Sequence, residues 1–116
     1  MITRRRATGN AAEDQVLDYL IGRNLRLVTR NYSCRAGEID LIMKDGAQLV
    51  FVEVRYRARA DFGSALESVN PAKQRKLVTT AQHYLQRSGQ TPACRFDVVG
   101  MDQERRIHWV KNAFDA

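Results

Sequence analysis

The chain is poor in the features that carry catalysis or anchoring in many small proteins. Its two cysteines, Cys34 and Cys94, have 59 residues between them and fit no zinc-ligand spacing. They read as reduced thiols, and Cys34 has no His or Asp partner in a motif, which argues against a thiol nucleophile. The two histidines, His83 and His108, stand apart from any cluster. No glycine-rich loop offers to cradle phosphate. No stretch approaches the roughly 18 consecutive apolar residues of a membrane helix. The opening MITRRRATGN is basic but lacks the apolar segment of a secretory signal. There is no repeat, low-complexity tract or dividing linker. Zinc hydrolases, thiol enzymes, phosphate-loop proteins and membrane proteins are thereby disfavoured, and a cytoplasmic protein is expected.

The chain does have the length and composition of one ordinary domain. Its 116 residues are 44% hydrophobic and 28% charged, and a chain of this size buries roughly 65% of its unfolded surface without a metal or disulfide staple. Residues 1–8 read as a loose basic arm and residues 9–116 as a single domain. Nineteen Lys and Arg oppose 13 Asp and Glu, a net charge of +6, with a sequence pI of about 9.8. A balance this basic is the electrostatic footprint of nucleic-acid binding. Only Lys44, Lys73, Lys76 and Lys111 are lysines, so a bias toward arginine could also raise the pI without any partner.

Periodicity orders the elements. Ala12, Val16, Leu17, Leu20 and Ile21 recur at helical spacing and predict a helix from Ala11 to about Arg23. Leu27–Tyr32 has strand composition. Glu38–Lys44 alternates, with Ile39, Leu41 and Met43 on one face and Glu38, Asp40 and Ile42 on the other. Asp45-Gly46 is a hairpin signal that leads into a strand over Leu49–Arg55. After a polar loop over residues 56–70, Asn70-Pro71 reads as an N-cap and first helical residue. The helix it opens runs to about Arg87, with Leu77, Val78, Ala81, Tyr84 and Leu85 inward. Strands near Arg95–Met101 and Arg106–Val110 close the chain. A crossover helix between the third and fourth strands predicts an α/β sandwich: a central mixed five-stranded sheet flanked by helices, in the order α-β-β-β-α-β-β.

Three acids occupy positions where periodicity expects apolar company. Glu53 interrupts LVFVEV, Asp40 lies inside IDLIM, and Glu13 borders the apolar stripe of the first helix. A lone ionised carboxylate is costly to bury, so each must be paired, hydrogen-bonded or metal-bound. Counting from the Asp45-Gly46 turn puts Asp40 and Glu53 on one sheet face, and Arg55 leaves the same side as Glu53. A helix docked there would bring Glu13 toward them. Plainer readings stand beside this one: an Asn10-x-x-Glu13 capping box, a strand-end ion pair of Glu53 with Arg55 or Arg57, a backbone-bonded Asp40, and Glu38 on a solvated face. Convergent carboxylates can hold Mg²⁺ or Mn²⁺, hard cations that take oxygen ligands and complete their shell with water and substrate phosphate.

An acidic residue on the second strand followed by Glu-x-Lys on the third resembles the PD-(D/E)xK nuclease superfamily, with its restriction-endonuclease-like fold. More closely, the chain resembles the YraN-like family of small bacterial proteins, related to Holliday-junction resolvases. The matching residues are Gly9, Ala12 and Glu13, Asn31-Tyr32, the blocks Gly37–Leu41 and Val50–Arg55, Phe62-Gly63, Pro71, Lys73, Lys76-Leu77 and Phe96–Val99, over about residues 9–100. The resemblance implies a metal-dependent DNA endonuclease acting on branched or repair intermediates. Asp40, Glu53 and the Val54 carbonyl would ligate Mg²⁺ or Mn²⁺, with Glu13 beside the metal. Arg55 stands where the superfamily has lysine. A guanidinium keeps its proton, so Arg55 would orient water or neutralise charge instead of acting as a base. Lys73, Lys76 and the arm residues Arg4, Arg5 and Arg6 would follow DNA phosphates, and a homodimer would suit two-stranded cleavage. The rival readings are a nucleic-acid-binding module without catalysis and a protein-interaction subunit.

Overall fold

The computed structural model describes residues 7–56 and 66–115. The proposed arm residues Arg4, Arg5 and Arg6, and Arg57, lie outside them. The elements are α1 (Ala7–Ile21), β1 (Arg26–Cys34), β2 (Gly37–Asp45), β3 (Gln48–Tyr56), α2 (Pro71–Ser88), β4 (Cys94–Met101) and β5 (Ile107–Phe114). This is the expected order around a mixed five-stranded sheet.

The strands lie side by side in chain order, β1 to β5. The first three form an antiparallel meander. Gly46, at φ 64, supplies the left-handed residue of the β2–β3 hairpin. Helix α2 then carries the chain back so that β4 runs parallel to β3, and β5 turns antiparallel to β4. The start of α2 follows the expected chemistry: the Asn70 side chain accepts the Lys73 N–H at 2.9 Å, and Pro71 occupies the first turn.

Each sheet face carries one helix and one core. Leu77 and Ala81 of α2 pack with Ile39, Ile42, Phe51, Phe96 and Val98. Val16, Leu17 and Leu20 of α1 pack with Leu41, Met43, Val50, Val52 and Val99. Gly37, at φ 156, has a backbone conformation that favours glycine at the start of β2, while a Cβ there would make only ordinary contact with Thr80 Oγ1 at 3.4 Å.

The buried Asp97 pins the far edge of the sheet. It accepts from Arg95 Nε at 3.0 Å, Trp109 Nε1 at 2.9 Å and the Asn112 N–H at 2.9 Å. These bonds bridge the β4–β5 register shift between Phe96 and Val98. Without them the buried carboxylate would face the interior unpaired, while Arg95 would keep its bonds to Asp45 and Gln48 at 2.9 Å each.

Three expectations need correction. Helix α1 begins at Ala7, so Asn10 lies inside it and does not occupy the N-cap position that a capping box needs. Ile21, assigned to the apolar stripe, is 48% exposed, because the helix ends there and the chain turns away through Arg23 and Asn24. Along β2 the alternation breaks: Ile39 joins Ile42 on the α2 side, while Leu41 and Met43 face α1. Across from this break, Asn31 lies between the pairs Arg30↔Leu41 and Tyr32↔Ile39 with φ 55. A left-handed residue re-aims the strand pair at that point, much as a bulge does.

Candidate functional site

The break in β2 is where the acids meet. The β2–β3 ladder runs from Asp45↔Gln48 to Leu41↔Val52 and has no further pair. Beyond it the Asp40 carboxylate takes the place of a backbone carbonyl, accepting the Val54 N–H at 2.8 Å through Oδ2. Continuing the same count puts Asp40 opposite Glu53, close enough that each carboxyl acts on the other. A residue's N–H and C=O leave the same edge of a strand, so the Val54 carbonyl looks into the same fork.

Burial dominates the electrostatics. Glu53 is 5% exposed, and burial, reinforced by the Asp40 charge, lifts its carboxyl to about 7 against the opposing pull of Lys73 and Arg55. Burial also raises Asp40, with the Val54 N–H acting the other way. The Val54 N–H favours the charged form of Asp40, and Glu53 has no such backbone donor opposing its rise.

Glu13 comes in from α1. Burial first, and the charge of Asp40 second, raise its carboxyl. Arg30 stands 3.6 Å from Glu13 Oε1, close enough to be felt as a charge but too far for a hydrogen bond, and directs its short contact of 2.7 Å to Asp14 instead. Glu13 Oε1 and Arg30 Nε are consequently buried without a hydrogen-bond partner. Glu38 is half-buried, and its charge is felt at both Asp40 and Glu13. It therefore belongs to the acidic group more closely than its solvated-face reading allowed.

Two cations close the other side. Arg55 bonds Glu53 Oε2 at 3.1 Å through Nη1, Ser68 Oγ at 2.8 Å through Nε, and the Ser68 carbonyl at 2.8 Å through Nη2. The guanidinium fork thus ties β3 to the segment ahead of α2, as a lysine could not. Lys73, from the first turn of α2, places Nζ 3.6 Å from the same Glu53 oxygen. Lys76 lies one turn on, with its Cβ beside Gly37. Ser68 carried no sequence signal, and the reach of Lys73 to Glu53 depends on how α2 docks.

Among the described residues, no three His, Cys, Asp or Glu side chains gather closely enough to form a ready metal cage. The donor set is smaller: a carboxyl pair, a carbonyl in the same fork, and one orphaned buried carboxylate oxygen nearby. That suits a Mg²⁺-type ion, which uses one or two carboxylates and completes its shell with water and phosphate. The histidine and cysteine side chains have plainer surroundings. His83 hydrogen-bonds the Tyr32 hydroxyl, and both cysteines are free thiols, Cys94 with its thiol raised by burial. No helix among the described residues is long and apolar enough to cross a membrane.

Residues 12–101 match a family described as Uncharacterised protein family UPF0102. A UPF0102 protein of Nitrosococcus oceani is 54% identical over 114 residues, covering 94% of this chain and 92% of the relative. Another, from Janthinobacterium sp., is 49% identical over 98% of this chain and 92% of its own length. A third, from Nitrosospira multiformis, is 52% identical over 95% of this chain and 94% of its own length.

Proposed function

The chain belongs to the UPF0102 family, and from the geometry of its acidic fork we propose that it is a metal-dependent nuclease acting on DNA. The observation that carries this reading is the Asp40–Glu53 pair: two carboxyl groups held together in a buried fork, with Glu53 at about 7 and Asp40 fixed by the Val54 N–H. A stable fold gains nothing from two adjacent buried carboxyls, one of which must stay protonated to be tolerated. A divalent cation would relieve that repulsion. Bound there, it would polarise the phosphodiester and lower the pKa of an attacking water.

The chain's own residues then divide the work. Asp40, Glu53 and the Val54 carbonyl would hold Mg²⁺ or Mn²⁺, with Glu13 near enough to take a water of its shell. Arg55, braced on Ser68, presents fixed positive charge toward the charge that develops on the phosphorus. Lys73 would exchange its contact with Glu53 for a phosphate oxygen. Lys76, one turn along α2, extends the basic face.

A second reading is favoured by a specific contact. Glu53 Oε2 is already met by both Arg55 and Lys73, as expected of a nucleic-acid-binding module that has traded its metal for internal ion pairs. Cleavage of labelled four-way junctions, flaps and duplexes in Mn²⁺ separates the two. The nuclease reading expects cutting by the natural protein and none by Glu53→Gln. Binding without cutting, unchanged in Glu53→Gln, would leave the binding module.

A further inference from the structure

On the α1 side of the same strand ends lies a pocket of about 150 Å³ that the acidic fork does not use. Its walls are Tyr56 at the end of β3, Gln15 of α1, and Gln103 and Arg105 of the β4–β5 turn, with Ala11 and Ala12 of α1 on another side. We infer that this pocket is a subsite for a single unpaired nucleobase of a DNA strand whose phosphate lies at the acidic fork, an inference that rests on the nuclease reading.

Position is the first argument. The pocket opens at the carboxyl ends of the parallel pair β3–β4, where open α/β sheets receive ligands. Tyr56 lies three residues beyond Glu53, about 10 Å along the strand. Ala12 immediately precedes Glu13 on α1. Pocket and fork therefore share a strand end and a helical turn, Tyr56 leaving the α1 face and Glu53 the α2 face, so a DNA strand joining them passes around the end of β3.

The lining chemistry is the second. Tyr56 is 52% exposed, the most exposed of the large hydrophobic side chains described. A bare ring is a stacking platform that accepts any base. Gln15 and Gln103 each carry a donor and an acceptor, the complement of a base edge. Arg105 adds a cation for the backbone. The two alanines leave room for a flat group where longer side chains would fill it.

Rigidity is the third. The β4–β5 turn is organised by Asp102, whose carboxylate accepts the Glu104 and Arg106 N–H groups at 2.9 Å each and Arg106 Nε at 3.0 Å. Arg105 is held at φ 66 by its N–H bond to the Asp102 carbonyl at 3.0 Å. Gln103 and Arg105 are thus presented by a tied turn, at little ordering cost on binding. A slot of this volume takes one planar ring system and not a base pair, so the substrate class is DNA with unpaired nucleotides beside the cleaved bond.

The test is fluorescence anisotropy without divalent metal, at fixed low salt, comparing blunt duplex with the same duplex bearing three-nucleotide overhangs. Loss of one stacked base weakens binding about 5- to 150-fold. The natural protein should favour the overhang by a factor in that range. Tyr56→Ala should bind both forms alike, Tyr56→Phe should keep the preference, and thermal melting should show all three folded. Equal binding of both forms by the natural protein, or a preference that survives Tyr56→Ala, overturns the subsite. If cleavage in Mn²⁺ persists in that case, the nuclease reading stands; a preference lost in Tyr56→Ala by a protein that never cuts supports the subsite and removes the nuclease. No DNA binding at all overturns both.

Discussion

The Asp40 carboxylate holds the Val54 N–H at 2.8 Å, at the point where the β2–β3 ladder stops. One side chain thereby ends a strand pairing and turns a carboxyl and a carbonyl into the same opening. Asp40 serves the fold through an acceptor atom and the proposed site through its charge, and substitution can separate the two roles. Asp40→Asn keeps an acceptor for Val54 and removes the charge pressing on Glu53, so urea denaturation should find it at least as stable as the natural protein. Asp40→Ala leaves the N–H without a partner and should lose about 1–3 kcal/mol.

Stability should depend on pH through Glu53. A carboxyl raised from 4.5 to about 7 on folding holds its proton more tightly in the folded chain than in the unfolded one. Stability is then greatest below the unfolded value and declines as pH rises from 4.5 to about 7, by roughly 2–3 kcal/mol for a shift of this size. Asp40 and Glu13, also raised, act in the same direction. Denaturation midpoints measured across that range should fall in the natural protein and change less in Glu53→Gln.

Arg55 braces the site as well as charging it. Arg55→Lys retains a cation near Glu53 but loses the two-pronged grip on Ser68, and should cost about 1–2 kcal/mol. Arg55→Ala also withdraws a cation from Glu53 and should cost more. Equal midpoints for natural protein and Arg55→Lys would show that the Ser68 bonds carry no net stability.

Asp97 is the structural counterexample among the buried acids. Its three donors satisfy it fully, so Asp97→Ala should lose about 1–3 kcal/mol by leaving the Trp109 and Asn112 N–H groups unpaired and freeing the β4–β5 register, while Arg95 keeps Asp45 and Gln48. Trp109, released from its bond, should show altered fluorescence. No metal dependence is expected of this loss.

Much of this was legible because it rests on local chemistry. Asp45-Gly46 dictates a hairpin whatever surrounds it, Asn70-Pro71 caps a helix by its own geometry, and Glu53 inside an apolar run announces a carboxyl out of place. From the hairpin, counting puts Asp40 and Glu53 on one sheet face, within a few residues in register. What escaped depends on long-range packing. The facing of Ile39 follows from the left-handed Asn31 on the neighbouring strand, and no alternation rule sees across strands. The contact of Lys73 with Glu53 needs the docking of α2, and the grip of Arg55 on Ser68 needs the path of the chain before it. Helical spacing marked Ile21 as apolar but could not know that the chain leaves the core there.

Calorimetric titration of Mn²⁺ into the protein near pH 7 tests the acidic fork most directly. A saturable heat is expected, growing tighter as pH rises through 7 because binding must displace the proton on Glu53, and absent from Asp40→Asn and Glu53→Gln. No heat in the natural protein, or the same heat in both variants, would contradict the account and leave the buried carboxyl pair without a ligand.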